Sequence, residues 1–220
     1  MNQDERIRND IQEEIAWGPR VKSTDIRVTC KDGAVRLTGS VASYSEQLAS
    51  ENAAKRVKGV HAIAEDIVFK LPSDNVETDE SIAEQISNFM KWNTMVPVPD
   101  GQAEVRNGFV TLTGEVDWNF ERETIKNQIT HLSGVRGIDN SINLQSCLQS
   151  RVSEKDVSKS ITRALHCNAD LERSKIDVFV DGGKVVIIGK VKAFYEKKVI
   201  EDAVWAAPSV MQVVDRLRVN

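Results

Sequence analysis

Apolar residues follow two rhythms along this chain, and the switch between them recurs. Ile7, Ile11 and Ile15 stand at four-residue intervals among charges, as do Ile82, Ile86 and Met90, then Val157, Ile161 and Leu165. Each set predicts an amphipathic helix with one buried stripe, over residues 4–16 and 79–90 in the first two cases. The period then drops to two. Ile26, Val28 and Cys30 share one side of a predicted strand, as do Ile176, Val178 and Val180, with a weaker version in Gly101, Ala103 and Val105. A second strand holds Val35 and Leu37, Val110 and Leu112, or Val185 and Ile187. A longer helix follows over 43–57, 118–132 and 193–207, and a closing strand carries Ile63 and Ile67, Ile138 and Ile142, or Val213 and Leu217. The order αββαβ is therefore written three times.

Sliding the chain by 75 residues superposes these units without a gap. Identical residues fall at Ile11/Ile86/Ile161, Val35/Val110/Val185, Val41/Val116/Val191, Glu46/Glu121/Glu196 and Val60/Val135/Val210. A full-length repeat of this kind outranks any short motif. The expected fold is α+β: three tandem αββαβ modules, each a three-stranded mixed sheet with two helices packed on one face. Their expected bounds are 1–72, 76–147 and 151–220, joined by "LPSDNVET" at 71–78 and "SCLQSRVS" at 146–153. Modules this small bury only about 60% of their unfolded surface, so contact between neighbours is expected.

One frame marks every unit: "DGAVRLTG" at 32–39, "NGFVTLTG" at 107–114 and "GGKVVIIG" at 182–189. Asp32-Gly33, Asn107-Gly108 and Gly182-Gly183 are favoured centres of type I′ hairpin turns, where both residues take positive φ. The second glycines, Gly39, Gly114 and Gly189, end the following strand, where a missing side chain permits close backbone approach. A phosphate loop does not fit. The glycines enclose a strand, and among the second glycines only Gly189 is followed by a lysine, Lys190, with Val191 where a hydroxyl residue is needed.

Charge adds an asymmetry. The net charge of −4 divides into −1 for residues 1–75, −6 for 76–150 and +3 for 151–220. An acidic middle and a basic end are a partner-selecting feature or an ordinary solvated surface. The opening "MNQDERIRND" has no apolar run behind it, and nothing approaches the roughly 20 apolar residues of a membrane-spanning helix. Cys30, Cys147 and Cys167 occupy unrelated repeat columns, which suits free thiols. A cytoplasmic location is the expectation; a periplasmic one needs a leader ahead of this sequence.

Candidate chemistry is sparse. His61, His131 and His166 stand opposite Arg136, Arg56 and Lys91 in the repeat and behave as surface positions, and no His/Cys spacing suits zinc. Glu46, Glu121 and Glu196 recur in the first turn of the second helix; Ser43-x-x-Glu46 fits a capping box. No enzyme and no cofactor are expected. Trp17 and Trp92 share a column and read as packing. Other aromatics collect where the second strand meets the second helix: Tyr44, Trp118, Phe120, Phe194 and Tyr195, with Lys190, Lys192, Lys197 and Lys198 beside the last two. These nine residues are the candidate contact set for a lipid surface or a partner; burial against the neighbouring module is the alternative.

The pattern G-x-V-x-L-x-G, a Glu-bearing helix and a closing G-V-x-x-[IV] recur as "GAVRLTGSV…GVHAI", "GFVTLTGEV…GVRGI" and "GKVVIIGKV…SVMQV". This resembles the BON domain, the bacterial OsmY and nodulation module, over nearly the whole chain; Ser209 departs where Gly59 and Gly134 stand. The resemblance implies a non-enzymatic module that associates with phospholipid, in a family rich in envelope and osmotic-stress proteins. The implied partners are an anionic phospholipid surface or, alternatively, another protein in an assembly scaffold. Nucleic acid is not expected: KH-type modules have a related element order, but they clamp the backbone with a G-x-x-G loop between helices, and this chain has none in that place.

Overall fold

In the computed structural model, residues 3–18, 25–70, 77–92, 101–144, 154–167, 176–207 and 210–219 are described, excepting the side chains of Trp92, Glu154, Lys155, His166 and Cys167. Cys147, Ser209 and most of both linkers lie outside these residues. The first module runs α1 (Gln3–Trp17), β1 (Ile26–Lys31), β2 (Ala34–Val41), α2 (Tyr44–Arg56) and β3 (Ala62–Phe69). The second repeats it as α3 (Asp79–Trp92), β4 (Gln102–Arg106), β5 (Phe109–Val116), α4 (Asn119–Thr130) and β6 (Gly137–Leu144). The third is α5 (Glu154–Cys167), β7 (Ile176–Asp181), β8 (Lys184–Val191), α6 (Phe194–Trp205) and β9 (Gln212–Val219).

Each module holds its own mixed sheet. The central strand pairs antiparallel with its hairpin partner and parallel with the last strand, which returns through the second helix. The helical stripes sit on one face of the sheet and form the core. Ile11, Ile86 and Ile161 have 0% exposure, as do Leu37, Leu112 and Ile187 beneath them, which accounts for those repeat columns. Trp17 departs from its expected packing role, being 86% exposed. The α1 stripe runs Ile7–Ile11–Ile15, and two further residues at about 100° each turn Trp17 to the opposite side.

The glycine frame does what the turn chemistry requires. Both central residues have positive φ in all three hairpins: 51° and 73° at Asp32-Gly33, 51° and 80° at Asn107-Gly108, 53° and 86° at Gly182-Gly183. Gly39 holds φ at 144°, and a Cβ there would lie 2.0 Å from the Asp25 carbonyl oxygen. Gly114 has nearly the same φ of 143°, and Gly189 faces Ile176 in the register that sets Gly39 against Ile26.

Carboxylates fasten both ends of this frame. At the start of α1, Asp4 accepts the amides of Asp32 (2.9 Å) and Gly33 (3.2 Å); Asp79 accepts those of Asn107 (2.6 Å) and Gly108 (2.9 Å). Those amide bonds hold the Asp4 carboxyl below its ordinary value. The recurrent glutamates serve the second helix. Glu121 accepts from the amides of Asp117 and Trp118, and Glu196 from Lys192. In the first module, Ser43 Oγ accepts from the Glu46 amide as a capping box requires, but Glu46 reaches past the cap to the Ala42 amide (2.9 Å). Half of the expected box is present, and the other half is displaced by one residue.

Candidate functional site

Within each module one position on the second helix faces one on the last strand, 18 residues later. Gln47 Nε2 donates to Glu65 (2.8 Å), and Lys197 pairs with Asp215 (2.7 Å). In the middle module the acid's place is taken by Asn140, whose amide donates to the Arg122 backbone carbonyl (3.2 Å). Arg122 therefore has no internal carboxylate at that position, and its guanidinium lies 4.8 Å from the centre of the Trp205 ring in the third module. Burial raises the Glu65 carboxyl, partly offset by the Gln47 bond.

Two further contacts cross module boundaries, and both use one repeat column. Tyr44, the first residue of α2, packs on the core of the second module, and its hydroxyl hydrogen-bonds with the Ile138 backbone. Burial raises the phenol above its ordinary value, and the Ile138 bond opposes it. Phe194, the first residue of α6, packs on the core of the first module, and α2 lies against α6. The first module thus leans on the second, the second on the third and the third on the first. These contacts join the three modules in a closed circuit. In the middle module the same column holds Asn119, whose side-chain oxygen is buried without a hydrogen-bond partner among the described residues.

The nine candidate contact residues are accordingly divided. Tyr44 and Phe194 sit in junctions, and Tyr195 is half-buried beside one. Lys197 is engaged with Asp215, and Lys198 with Asp202 (2.8 Å). Desolvation lowers the Lys198 ammonium pKa, but Asp202 outweighs it and leaves a net upward shift. Trp118 and Phe120 are 46% and 60% exposed, on the acidic module. Lys190 and Lys192 are exposed, and the Lys192 amide caps α6 through Glu196. No single loop gathers them.

A different surface brings apolar and basic groups together. On the outer face of the third sheet, Phe179, Val186 and Val214 form one cross-strand row. The next row sets Ile188 between Asp177 and Arg216, and the one beyond pairs Lys190 with Arg218. Lys184, beside Asp181, closes the other end. Phe179 is 58% exposed and Ile188 38%; all four cations are exposed. The sister sheets carry no apolar row at that place, although Val68 and Phe109 are exposed elsewhere on them. Their rows matching Phe179–Val186–Val214 are Thr29–Arg36–Ala64 and Glu104–Thr111–Asp139.

No group of three His, Cys, Asp or Glu side chains among the described residues could hold a metal ion. His61 and His131 are exposed. Burial, then the adjacent Asp4 charge, raises the Cys30 thiol, the opposite of what activates a nucleophile. No described helix is long and apolar enough to cross a membrane.

No curated protein matches the chain. Among solved structures it is similar to CdsD, a structural protein of the type III secretion system of Chlamydia trachomatis, at 14% identity over 96% of this chain and 91% of that one, with a TM-score of 0.27. It is also similar to the periplasmic domain of the inner-membrane protein PrgH from S. typhimurium, at 8% identity over 95% and 100%, with a TM-score of 0.23. Scores this low carry nothing about function. The sequence profile of the BON domain, by contrast, matches residues 3–70, 78–146 and 153–220. With three successive matches over nearly its full length, each a three-stranded mixed sheet with two helices, the chain belongs to the BON-domain family.

Proposed function

We propose that this protein is a non-enzymatic binding protein that docks peripherally on an anionic phospholipid surface through the outer face of its third sheet. BON domains are generally non-enzymatic. The observation that carries the reading is the row Phe179–Val186–Val214 with Ile188, flanked by Lys184, Lys190, Arg216 and Arg218. Cations near an anionic leaflet contribute about 1 kcal/mol each, and a shallowly inserted Phe adds apolar burial. The third module carries +3 in a chain of net −4, so the leaflet's field would draw this module in and repel the acidic one. A role in envelope or osmotic stress is the setting that family membership suggests. Co-sedimentation with phosphatidylglycerol and phosphatidylcholine vesicles tests the reading: salt-sensitive retention on the first alone supports it, and equal recovery with both removes it.

A second reading, an assembly scaffold for another protein, rests on Trp118 and Phe120, exposed together at the start of α4. Their substitution by Ala would then abolish capture of that partner and leave vesicle binding unchanged.

A further inference from the structure

The three junctions are not equally filled. At the joint between the second and third modules Trp205, half-buried, is stacked by Arg122. The residue in its column 75 positions earlier is Thr130, at the joint between the first and second modules, and its hydroxyl turns back to the Lys126 carbonyl (2.8 Å). A cleft of about 570 Å³ opens there, between the end of α1, one side of α2 and the last turn of α4. That is within the ordinary range for a small-molecule site, roughly 300–1,000 Å³.

Its lining separates by chemistry. Ile15, Leu48, Ala49 and Ala53 supply an apolar wall. Glu14, Asn52, Arg56, Asn127 and His131 supply a polar rim, and among the described residues the side chains of Asn52, Asn127 and His131 make no hydrogen bond. Arg56 meets Glu14 only through Nε (2.9 Å), a pairing that offsets both charges and leaves both terminal guanidinium nitrogens as donors without a hydrogen-bond partner among the described residues. Two parallel donors on one guanidinium match two oxygens of a carboxylate or phosphate. The amides and the imidazole add further donors around them.

We propose that this cleft binds a small amphiphilic anion: a carboxylate or phosphate monoester head held by Arg56 and the rim, with a short apolar body against Leu48, Ala49 and Ile15. The site is independent of the third sheet and of the membrane reading. The test uses the full chain and soluble probes, namely hexyl phosphate, hexanoate and inorganic phosphate, followed by amide NMR shifts and calorimetry. Saturable shifts at Asn52, Arg56, Asn127 and His131 are expected with an alkyl probe, which binds about tenfold or more tightly than inorganic phosphate. Arg56→Gln should weaken it about tenfold or more. Thr130→Trp, which borrows the residue standing in that column at the sister joint, should abolish it. Absence of saturable shifts at millimolar alkyl probe, inorganic phosphate binding as tightly, or unchanged binding in folded Arg56→Gln would overturn the proposal.

Discussion

The Arg122 guanidinium lies 4.8 Å from the centre of the Trp205 ring, joining the second helices of two modules whose residues are 83 apart in sequence. A cation over an indole face is worth about 0.5–2 kcal/mol according to its exposure. Trp205→Ala and Arg122→Ala should each destabilise the chain, and a double-mutant cycle by urea denaturation should return a coupling of about 1 kcal/mol. A coupling near zero would mean that the contact does not hold the joint.

Asp4 supplies a pH-dependent prediction. Its carboxyl is held below the ordinary value of 3.8 by the turn amides of Asp32 and Gly33. The sign follows from linkage: the stabilisation is present above the unfolded value and lost as pH falls through the lower folded one. An Asp4→Asn variant should therefore be less stable than the parent at neutral pH, and the gap should close on acidification below the carboxylate range. Thermal melts at stepped pH check this; a gap that stays constant to strongly acidic pH contradicts it.

Two glycines with positive φ should respond very differently to substitution. Gly39→Ala sets a Cβ 2.0 Å from the Asp25 carbonyl oxygen. It should cost about 3 kcal/mol or more. Gly182 has φ 53° with nothing within 4 Å of its would-be Cβ, and its counterparts are Asp32 and Asn107. Gly182→Asn should leave stability within about 0.5 kcal/mol, or raise it by restricting the unfolded chain. Denaturant midpoints for the pair decide the matter.

Asn119 occupies the column in which Tyr44 and Phe194 pack across junctions, and its buried side-chain oxygen has no partner among the described residues. Replacing it with Phe removes that uncompensated oxygen and should stabilise the chain by about 1 kcal/mol. A lower melting temperature for Asn119→Phe would show that the oxygen is satisfied in solution.

The architecture was legible because each module repeats the same switch from a four-residue to a two-residue rhythm, and because Asn107-Gly108 and its counterparts admit few other turns. The Asp4 and Asp79 grips were not legible, although both fall in one repeat column, because an acidic helix start already has a sufficient local explanation in the dipole. Trp17 shows the limit of column reasoning: shared identity does not fix the side of a helix. Tyr44 and Phe194 could not be assigned to junctions from sequence, since exposure depends on how the modules close. The outer face of the third sheet did leave a trace. "VVII" at 185–188 runs apolar without a break, where "VTLT" and "VRLT" alternate in the sister strands. A continuous apolar strand with helices on one side only has an uncovered second face.

The central claim is that this face meets an anionic membrane, and exchange with the sister sheet tests it most directly. Phe179→Glu with Arg216→Ser installs the residues that Glu104 and Ser141 supply at the matching places in the middle module, where the same fold accommodates them. Co-sedimentation with phosphatidylglycerol vesicles at low salt should retain the parent chain and lose the variant about tenfold or more, with unchanged circular dichroism. Equal retention of both chains, or no retention of the parent, would contradict the account.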